Sequence, residues 1–394
     1  MKKIISILGS TGSIGHNSLK ILSKKKKLFK INILAANKNY RLICKQIDKF
    51  KPKIFIINDL KVLEKVKKKY IRNKVKIIAD IDIKKNKIRK SDITIVAIPG
   101  IAGLRPTIEM VKKSKKILIA NKESIICGWN LIKKTAFKYN TKIVPIDSEH
   151  FSILKLLENQ NIKNIRKIYL TASGGPFLKY NLSQLKIVKP SQAIKHPRWK
   201  MGKKISIDSA TLMNKMLELV EAEKLFSVNS KKIEIIIHPE SLIHAIIEFK
   251  NGLYKFIYHE TTMLIPLANA IFDDSIDIKS ILRIKKNHKK GIFFKNLNFQ
   301  NVDKKRFPII NLKPIMNKHP SSSIIINAVN EILVDQYLKK RISFNSFYTY
   351  ILRVLRNRNF KKYAIRIPKN IDQIFEIDKW GRDTIIEIIK YEDT

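Results

Sequence analysis

Short apolar runs rich in isoleucine and valine recur through the first third of the chain, each followed by a segment with helical periodicity. KIISIL at 3–8, INILAA at 31–36, KIFIIN at 53–58, KVKIIAD at 74–80, DITIVAIPG at 92–100 and KILIANKES at 116–124 set this rhythm. A strand that reads as apolar along its whole length has both faces covered, as in a parallel sheet packed between helices. The alternation therefore predicts a doubly wound α/β domain over residues 1–148. A second unit over 149–275 carries strand-like pieces IRKIYLTAS, KKIEIIIHPE, HAIIEF and LYKFIYHE, with helices near 150–158 and 209–226, and reads as mixed α/β. Residues 276–305 form a lysine-rich connection. From 306 to 394 the segments SSIIINAVNEILVDQYL, FNSFYTYILRVLRN and IDQIFEIDKWGRDTIIEIIKY predict a helical domain.

A chain of 394 residues fits two or three domains, and 44% hydrophobic residues suffice for their cores. The formal net charge of +48 raises the question of a nucleic-acid partner. Its lysines, however, are scattered at 24–27, 65–69, 112–116, 203–204, 285–290 and 304–305, without a stretch that concentrates arginine and interleaved aromatics. The charge reads as drift at tolerant surface positions, and no specific nucleic-acid partner is expected. Two cysteines, Cys44 and Cys127, make no disulfide framework and no zinc spacing, which suits a reducing cytoplasm. The apolar run in MKKIISILGS is too short for a signal peptide, and no stretch approaches a membrane span.

The first strand ends in Gly9-Ser10-Thr11-Gly12-Ser13-Ile14-Gly15, followed by a helix. The spacing is GxxGxxG rather than the more usual GxGxxG. Glycines still permit the tight turn, and free N–H groups at a helix start can hold a pyrophosphate. This makes the first domain Rossmann-like. At the end of the second strand stand Asn37, Lys38 and Asn39, where an NAD enzyme usually carries an acid for the ribose hydroxyls. The missing acid and the lysine favour NADP. Asn121, Lys122 and Glu123 close a later strand at the sheet edge where ligands bind.

Asp147 and Glu149, in IDSEH, would point to one face of an extended segment. Downstream, ISIDSATLMNKMLE places Ser209 at a helix start as an anion site, and Asn214, Lys215 and Glu218 on one helix face. Asp147, Glu149 and Glu218 together would make a hard oxygen site for Mg²⁺ or Mn²⁺. Read alone, each segment is equally a solvated acidic turn or an ordinary amphipathic helix. Ser173, in TASGGP, can donate to a phosphate that backbone N–H groups approach closely. His196-Pro197-Arg198-Trp199-Lys200-Met201-Gly202 suits a lid that closes on ligand. His238 and His244 are spaced poorly for a metal and read as structural.

GSTGSIG, ANKES, DSEH, SGGPF, HPRWKMGKKISIDSAT and MNKMLE, in this order, resemble the 1-deoxy-D-xylulose 5-phosphate reductoisomerase family over nearly the whole chain. The resemblance implies an NADPH-dependent oxidoreductase that isomerises and reduces deoxyxylulose phosphate to 2-C-methyl-D-erythritol 4-phosphate, an early step toward isoprenoid precursors. It implies a divalent metal (Mg²⁺ or Mn²⁺, with Co²⁺ as an alternative) held by Asp147, Glu149 and Glu218. These three and Lys122 would be catalytic. Thr11, Gly12, Ser13, Ile14, Asn37, Lys38, Asn39, Asn121, Glu123 and Gly202 would contact NADPH. Lys122, Ser148, Ser173, His196, Ser209, Asn214 and Lys215 would hold substrate, with Trp199 and Met201 in the lid. It also implies a homodimer formed through 149–275. The chain departs from the family at Asn37 and at Met216, where glycine is usual, and follows its pattern only loosely over 259–272. Cleavage and rejoining of the carbon skeleton, or a direct shift, are both open from sequence.

Two rivals are testable. A semialdehyde dehydrogenase needs an activated nucleophilic cysteine, and Cys127 has no histidine or motif near it in sequence. A nucleic-acid-binding protein needs a localised basic face with aromatics.

Overall fold

The structure, a computed structural model, describes residues 2–81, 88–199, 201–281 and 296–391. It divides into two compact units. One comprises Met1–Ser124, Trp129–Phe151 and Thr262–Gly291, the other Ile125–Gly128, Ser152–Thr261 and Ile292–Thr394.

The first unit is built on seven parallel strands: β1 (Lys3–Leu8), β2 (Phe29–Ala36), β3 (Ile54–Ile57), β4 (Lys76–Ile78), β5 (Ser91–Val96), β6 (Ser114–Ile119) and β7 (Lys142–Pro145). Their order is β4-β3-β2-β1-β5-β6-β7. The chain thus winds outward from β1 to one edge, returns, and starts again with β5 on the other side of β1. Ligands of such sheets bind at the carboxyl ends of the two strands where the order reverses, here β1 and β5. All four residues of β3, and the last four of β1, β5 and β6, are buried, as a sheet covered on both faces requires.

Residues 262–281 belong to this unit and not to the central sheet with which the sequence reading grouped 262–275. The cause is side-chain packing. Lys116 Nζ, at the foot of β6, donates to Ala270 O at 2.8 Å and to Asp273 Oδ1 at 2.6 Å, and Phe272 meets Phe29 edge-on. The segment 282–295, inside the expected connection 276–305, lies outside the described residues.

The second unit centres on a mixed sheet of β8 (Ile165–Ala172), β9 (Ile233–Ile237), β10 (Ile243–Phe249), β11 (Tyr254–Tyr258) and β12 (Gln300–Asn301), ordered β11-β10-β8-β9-β12. Only β8 and β9 run parallel; the other pairs are antiparallel. The three expected C-terminal helices are Ser322–Leu338, Ser346–Arg356 and Ile371–Lys390, and they belong to the same unit as this sheet. Gly381 lets the first and last approach: a Cβ there would stand 3.3 Å from Ala328 Cβ. Tyr337, 1% exposed, anchors the first to Val188 O.

Candidate active site

In the first unit the loop after β1 is shaped by close backbone approach. Gly9 has φ +84°, and a Cβ on it would lie 2.4 Å from Ala97 O, just beyond β5. A Cβ on Gly15 would lie 2.3 Å from Gly9 O and 2.5 Å from Ser10 Cα, so no other residue fits there without moving backbone. The Gly9 and Ser10 N–H groups donate to Ala35 O, and Gln46 clamps Ser10 through its Oε1 (2.7 Å, from the hydroxyl) and Nε2 (2.9 Å, to the carbonyl). The helix Ser13–Lys24 then starts at Gly12 with no side-chain cap and no acid in its first turn. Its leading N–H groups are left for an anion, at the positive end of the helix dipole. Thr11 and Ile14 are half-buried, and Gly12 and Ser13 exposed.

Asn37 and Lys38 are exposed beyond β2, and the Asn39 side chain accepts from Leu42 N–H, capping the helix Tyr40–Phe50. No acid follows β2. Asn121 is 3% exposed and its amide is fully used. Its Oδ1 accepts from Ser124 N–H, and its Nδ2 donates to Ile98 O, Gly100 O and Glu123 Oε2. It therefore holds the loop after β5 in place. Lys122 is 6% exposed, with Nζ 3.6 Å from Asp147 Oδ2.

Asp147 and Glu149 do not lie in an extended segment as expected. The helix Ser148–Leu156 begins directly after Asp147, whose Oδ1 accepts the Glu149 N–H at 3.2 Å. An aspartate before a helix competes for these first N–H groups, and that overrides the alternation assumed from spacing. The pair is still drawn together. Glu149 Oε2 accepts the Ser148 hydroxyl at 2.6 Å, and His150 Nδ1 lies 3.3 Å from Asp147 Oδ1.

In the second unit, Ser173 follows β8 directly and its Oγ meets His196 Nε2 at 2.9 Å. His196 Nδ1 accepts the N–H groups of Arg198 (3.1 Å) and Trp199 (2.9 Å). Nδ1 is thus an acceptor, so the neutral ring carries its proton on Nε2 and donates to Ser173 Oγ. That oxygen also accepts from Gly175 N–H, which leaves the Ser173 proton free to point outward. Burial, and then the positive charge of Lys215, push the His196 pKa down to about 4. Gly174 and Gly175 have positive φ, and a Cβ on Gly175 would lie 2.9 Å from Ala210 Cα and 3.0 Å from Ser209 O. The glycine pair thereby seats the Ser173 loop against Ser209.

Ser209 does not open a helix. It lies in the last turn of the helix Lys203–Thr211, and the chain breaks at Leu212 (φ 69°) before the helix Met213–Phe226. The dipole therefore does not favour an anion at Ser209; its hydroxyl is what it offers. Asn214, Lys215 and Glu218 do share one face of the second helix: Lys215 Nζ is 2.6 Å from Glu218 Oε2, and Asn214 Nδ2 donates to Glu218 Oε1. Glu218 is 1% and Lys215 6% exposed. In the lid segment, the Trp199 ring meets His244 edge-on at 6.0 Å, and Gly202 caps the helix Lys203–Thr211; Lys200 lies outside the described residues. His238 and His244 are buried and stack on Phe299 and His259.

Three family models match in succession. One is described as 1-deoxy-D-xylulose 5-phosphate reductoisomerase (residues 5–128), one as the C-terminal domain of that enzyme (143–226), and one as the DXP reductoisomerase C-terminal domain (260–384). The 1-deoxy-D-xylulose 5-phosphate reductoisomerase of Pelagibacter ubique (strain HTCC1062) is 44% identical over 388 residues, 96% of this chain and 97% of its own. The chain belongs to the 1-deoxy-D-xylulose 5-phosphate reductoisomerase family. A family member from Wolbachia pipientis subsp. Culex pipiens (strain wPip) is 39% identical, covering 99% of this chain and 98% of its own. Among solved structures, DOX-P reductoisomerase in complex with NADPH, fosmidomycin and magnesium matches with a TM-score of 0.89 at 29% identity, covering 100% of this chain and 99% of that one. The reductoisomerase from Zymomonas mobilis in complex with NADPH matches at 0.84 and 29%, covering 99% of each chain.

The sequence motifs give no role to two supports, Gln46 and Gly175. Gln46 and Gly15 shape the loop after β1, and Gly175 shapes the Ser173 loop. Gly15 and Gly175 stand inside quoted motifs; nothing in the sequence couples Gln46 to Ser10.

Proposed function

We propose that this chain converts 1-deoxy-D-xylulose 5-phosphate to 2-C-methyl-D-erythritol 4-phosphate with NADPH and a divalent metal, supplying isoprenoid precursors. The observation that carries this reading is reductoisomerase membership along the whole chain. The residues fit both groups. The loop Gly9–Gly15 leads into a helix start with no side-chain cap, whose leading N–H groups suit a pyrophosphate, and carboxylates are the hard oxygen donors that Mg²⁺ or Mn²⁺ prefers.

In this reading Asp147, Glu149 and Glu218 hold the metal, which supplies Lewis acidity toward the substrate's ketone and hydroxyl oxygens. Thr11, Gly12, Ser13 and Ile14 receive the pyrophosphate. Lys38 faces the 2′-phosphate, flanked by Asn37 and Asn39, while Asn121, Glu123 and Gly202 line the nicotinamide side. Ser173, Ser209, Asn214 and Lys215 grip the substrate phosphate, and His196 holds the Ser173 hydroxyl aimed at it. Lys122 and Ser148 contact the reacting end, and the segment around Trp199 and Met201 closes to exclude water.

The assembly we propose is a homodimer. The edge strand β11 and its turn expose Leu253 (57%), Tyr254 (58%) and Phe256 (50%), an apolar edge that a second copy would cover. A cytoplasmic location accords with Cys44 and Cys127, neither of which is in a disulfide, and among the described residues no helix is long and apolar enough to cross a membrane.

The test is NADPH oxidation, followed at 340 nm, with deoxyxylulose phosphate after thorough chelation and then with Mg²⁺ or Mn²⁺ restored. Turnover should require the metal. No turnover with either ion rejects the assignment.

A further inference from the structure

The helix Lys203–Thr211, which carries Ser209, has little to hold it by itself. It has nine residues, too few to be stable in isolation. Its N-cap, Gly202, contributes no side chain, and its C-cap, Leu212, is a non-glycine residue at φ 69°. The orientation of Ser209 must therefore be imposed from outside the helix. One contact is the close seating of Gly175 on Ala210. Another, beside the burial of Ile207, is a buried polar chain. Asp208, 1% exposed, accepts from Lys204 Nζ at 2.9 Å through Oδ2 and from Asn330 Nδ2 at 2.7 Å through Oδ1.

Asn330 lies in the helix Ser322–Leu338 and is 0% exposed, yet its own Oδ1 has no hydrogen-bond partner among the described residues. A buried amide with an unsatisfied oxygen is costly. The asparagine leaves one polar atom unmet and commits the other to Asp208. What the asparagine does that leucine would not is donate to the carboxylate one residue before Ser209. The bond joins positions 122 residues apart in the chain.

We propose that Asn330 is a positioning residue for the substrate's phosphate: through Asp208 it sets the rotation of the helix Lys203–Thr211 and so the direction of the Ser209 hydroxyl. The inference rests on the reading that Ser209 contacts that phosphate. Asn330 itself touches neither substrate nor cofactor.

The experiment measures kcat, KM for deoxyxylulose phosphate, KM for NADPH and the melting temperature for Asn330→Leu, Asn330→Asp and Ser209→Ala. Asn330→Leu should raise KM for the sugar phosphate roughly tenfold, the scale of one misdirected charge-assisted hydrogen bond. Its KM for NADPH should stay at the wild-type value, while its melting temperature falls, because the buried Asp208 Oδ1 loses its donor. Asn330→Asp sets two carboxylates against each other and should raise the same KM further. Inorganic phosphate should compete with substrate more weakly in both variants, by a factor matching the rise in KM. If Asn330→Leu lowers the melting temperature and leaves KM for the sugar phosphate unchanged, the residue is structural and the proposal falls. If Ser209→Ala raises that KM while both Asn330 variants leave it alone, the proposal falls and the phosphate reading stands. If Ser209→Ala leaves it unchanged, the phosphate reading of Ser209 fails and takes the proposal with it.

Discussion

Replacing Glu218 by glutamine keeps the side chain's shape and removes one charge from a pair that is almost wholly buried. Lys215 Nζ and Glu218 Oε2 are 2.6 Å apart, with side chains 7% and 1% exposed. At that separation and an effective dielectric near 20, the gross attraction is about 6 kcal/mol. Desolvation of both ions offsets most of it, so the pair itself stabilises little. Breaking the pair from one side is different, because it takes the carboxylate at 2.6 Å away from a buried ammonium. That costs about 3–5 kcal/mol. Asn214, which donates to Glu218 Oε1, would also face an amide that presents a donor in some orientations. For a unit of this size the cost corresponds to a fall in melting temperature of roughly 10 °C. Calorimetry on metal-free protein should show this fall in Glu218→Gln. Adding Lys215→Met in the same chain should recover part of it, because the buried ammonium is then gone as well. Mn²⁺ should raise the melting temperature of the wild type by linkage and leave that of Glu218→Gln unmoved. A metal-free Glu218→Gln protein that melts with the wild type would refute the ion-pair argument. An undiminished Mn²⁺ shift in that variant would remove Glu218 from the metal site.

Gly15→Ala places a Cβ 2.3 Å from Gly9 O, and fluorescence titration should show NADPH binding weakened roughly five- to hundredfold, the scale of about 1–3 kcal/mol of overpacking; unchanged affinity would mean the loop is not the nucleotide site. Lys38→Ala should narrow the preference for NADPH over NADH by roughly tenfold or more in kcat/KM, the worth of one charge-assisted hydrogen bond, and an unaltered ratio would point to another partner for the 2′-phosphate. His196, held by burial and Lys215 at about 4 against an ordinary value of 6.5, is neutral in the folded chain and protonates more readily when unfolded. Its contribution is present above pH 6.5 and lost as pH falls toward 4, so His196→Gln should flatten the decline of stability across that window. An NMR titration of His196 centred near 6.5 would contradict this.

The parallel sheet was legible because its signal is local. A strand covered on both faces must be apolar along its length, and β1, β2, β3, β5 and β6 each announce themselves that way. The C-terminal helices were legible through their 3.6-residue period. Glu218, Lys215 and Asn214 were legible as one helix face, since i, i+3 and i+4 fix that geometry wherever a helix forms. Failures came at helix ends. The segment 147–149 was read as extended, but Asp147 turns the chain into a helix with its own side chain. Ser209 was read as a helix start, but the break falls three residues later at Leu212, a left-handed leucine that no propensity predicts.

The order of residue types along the chain by itself determined the fold class, the glycine-lined turn, the absence of an acid after β2 and the supply of oxygen ligands, because each depends on neighbours within a few positions. Tertiary structure alone decided the rest. It grouped 262–281 with the parallel sheet through Lys116 and Phe29, clamped Ser10 with Gln46, lowered the His196 pKa by burial and Lys215, and tied Asp208 to Asn330. These effects depend on distance in space and on exclusion of water, and neither can be read from separation along the chain.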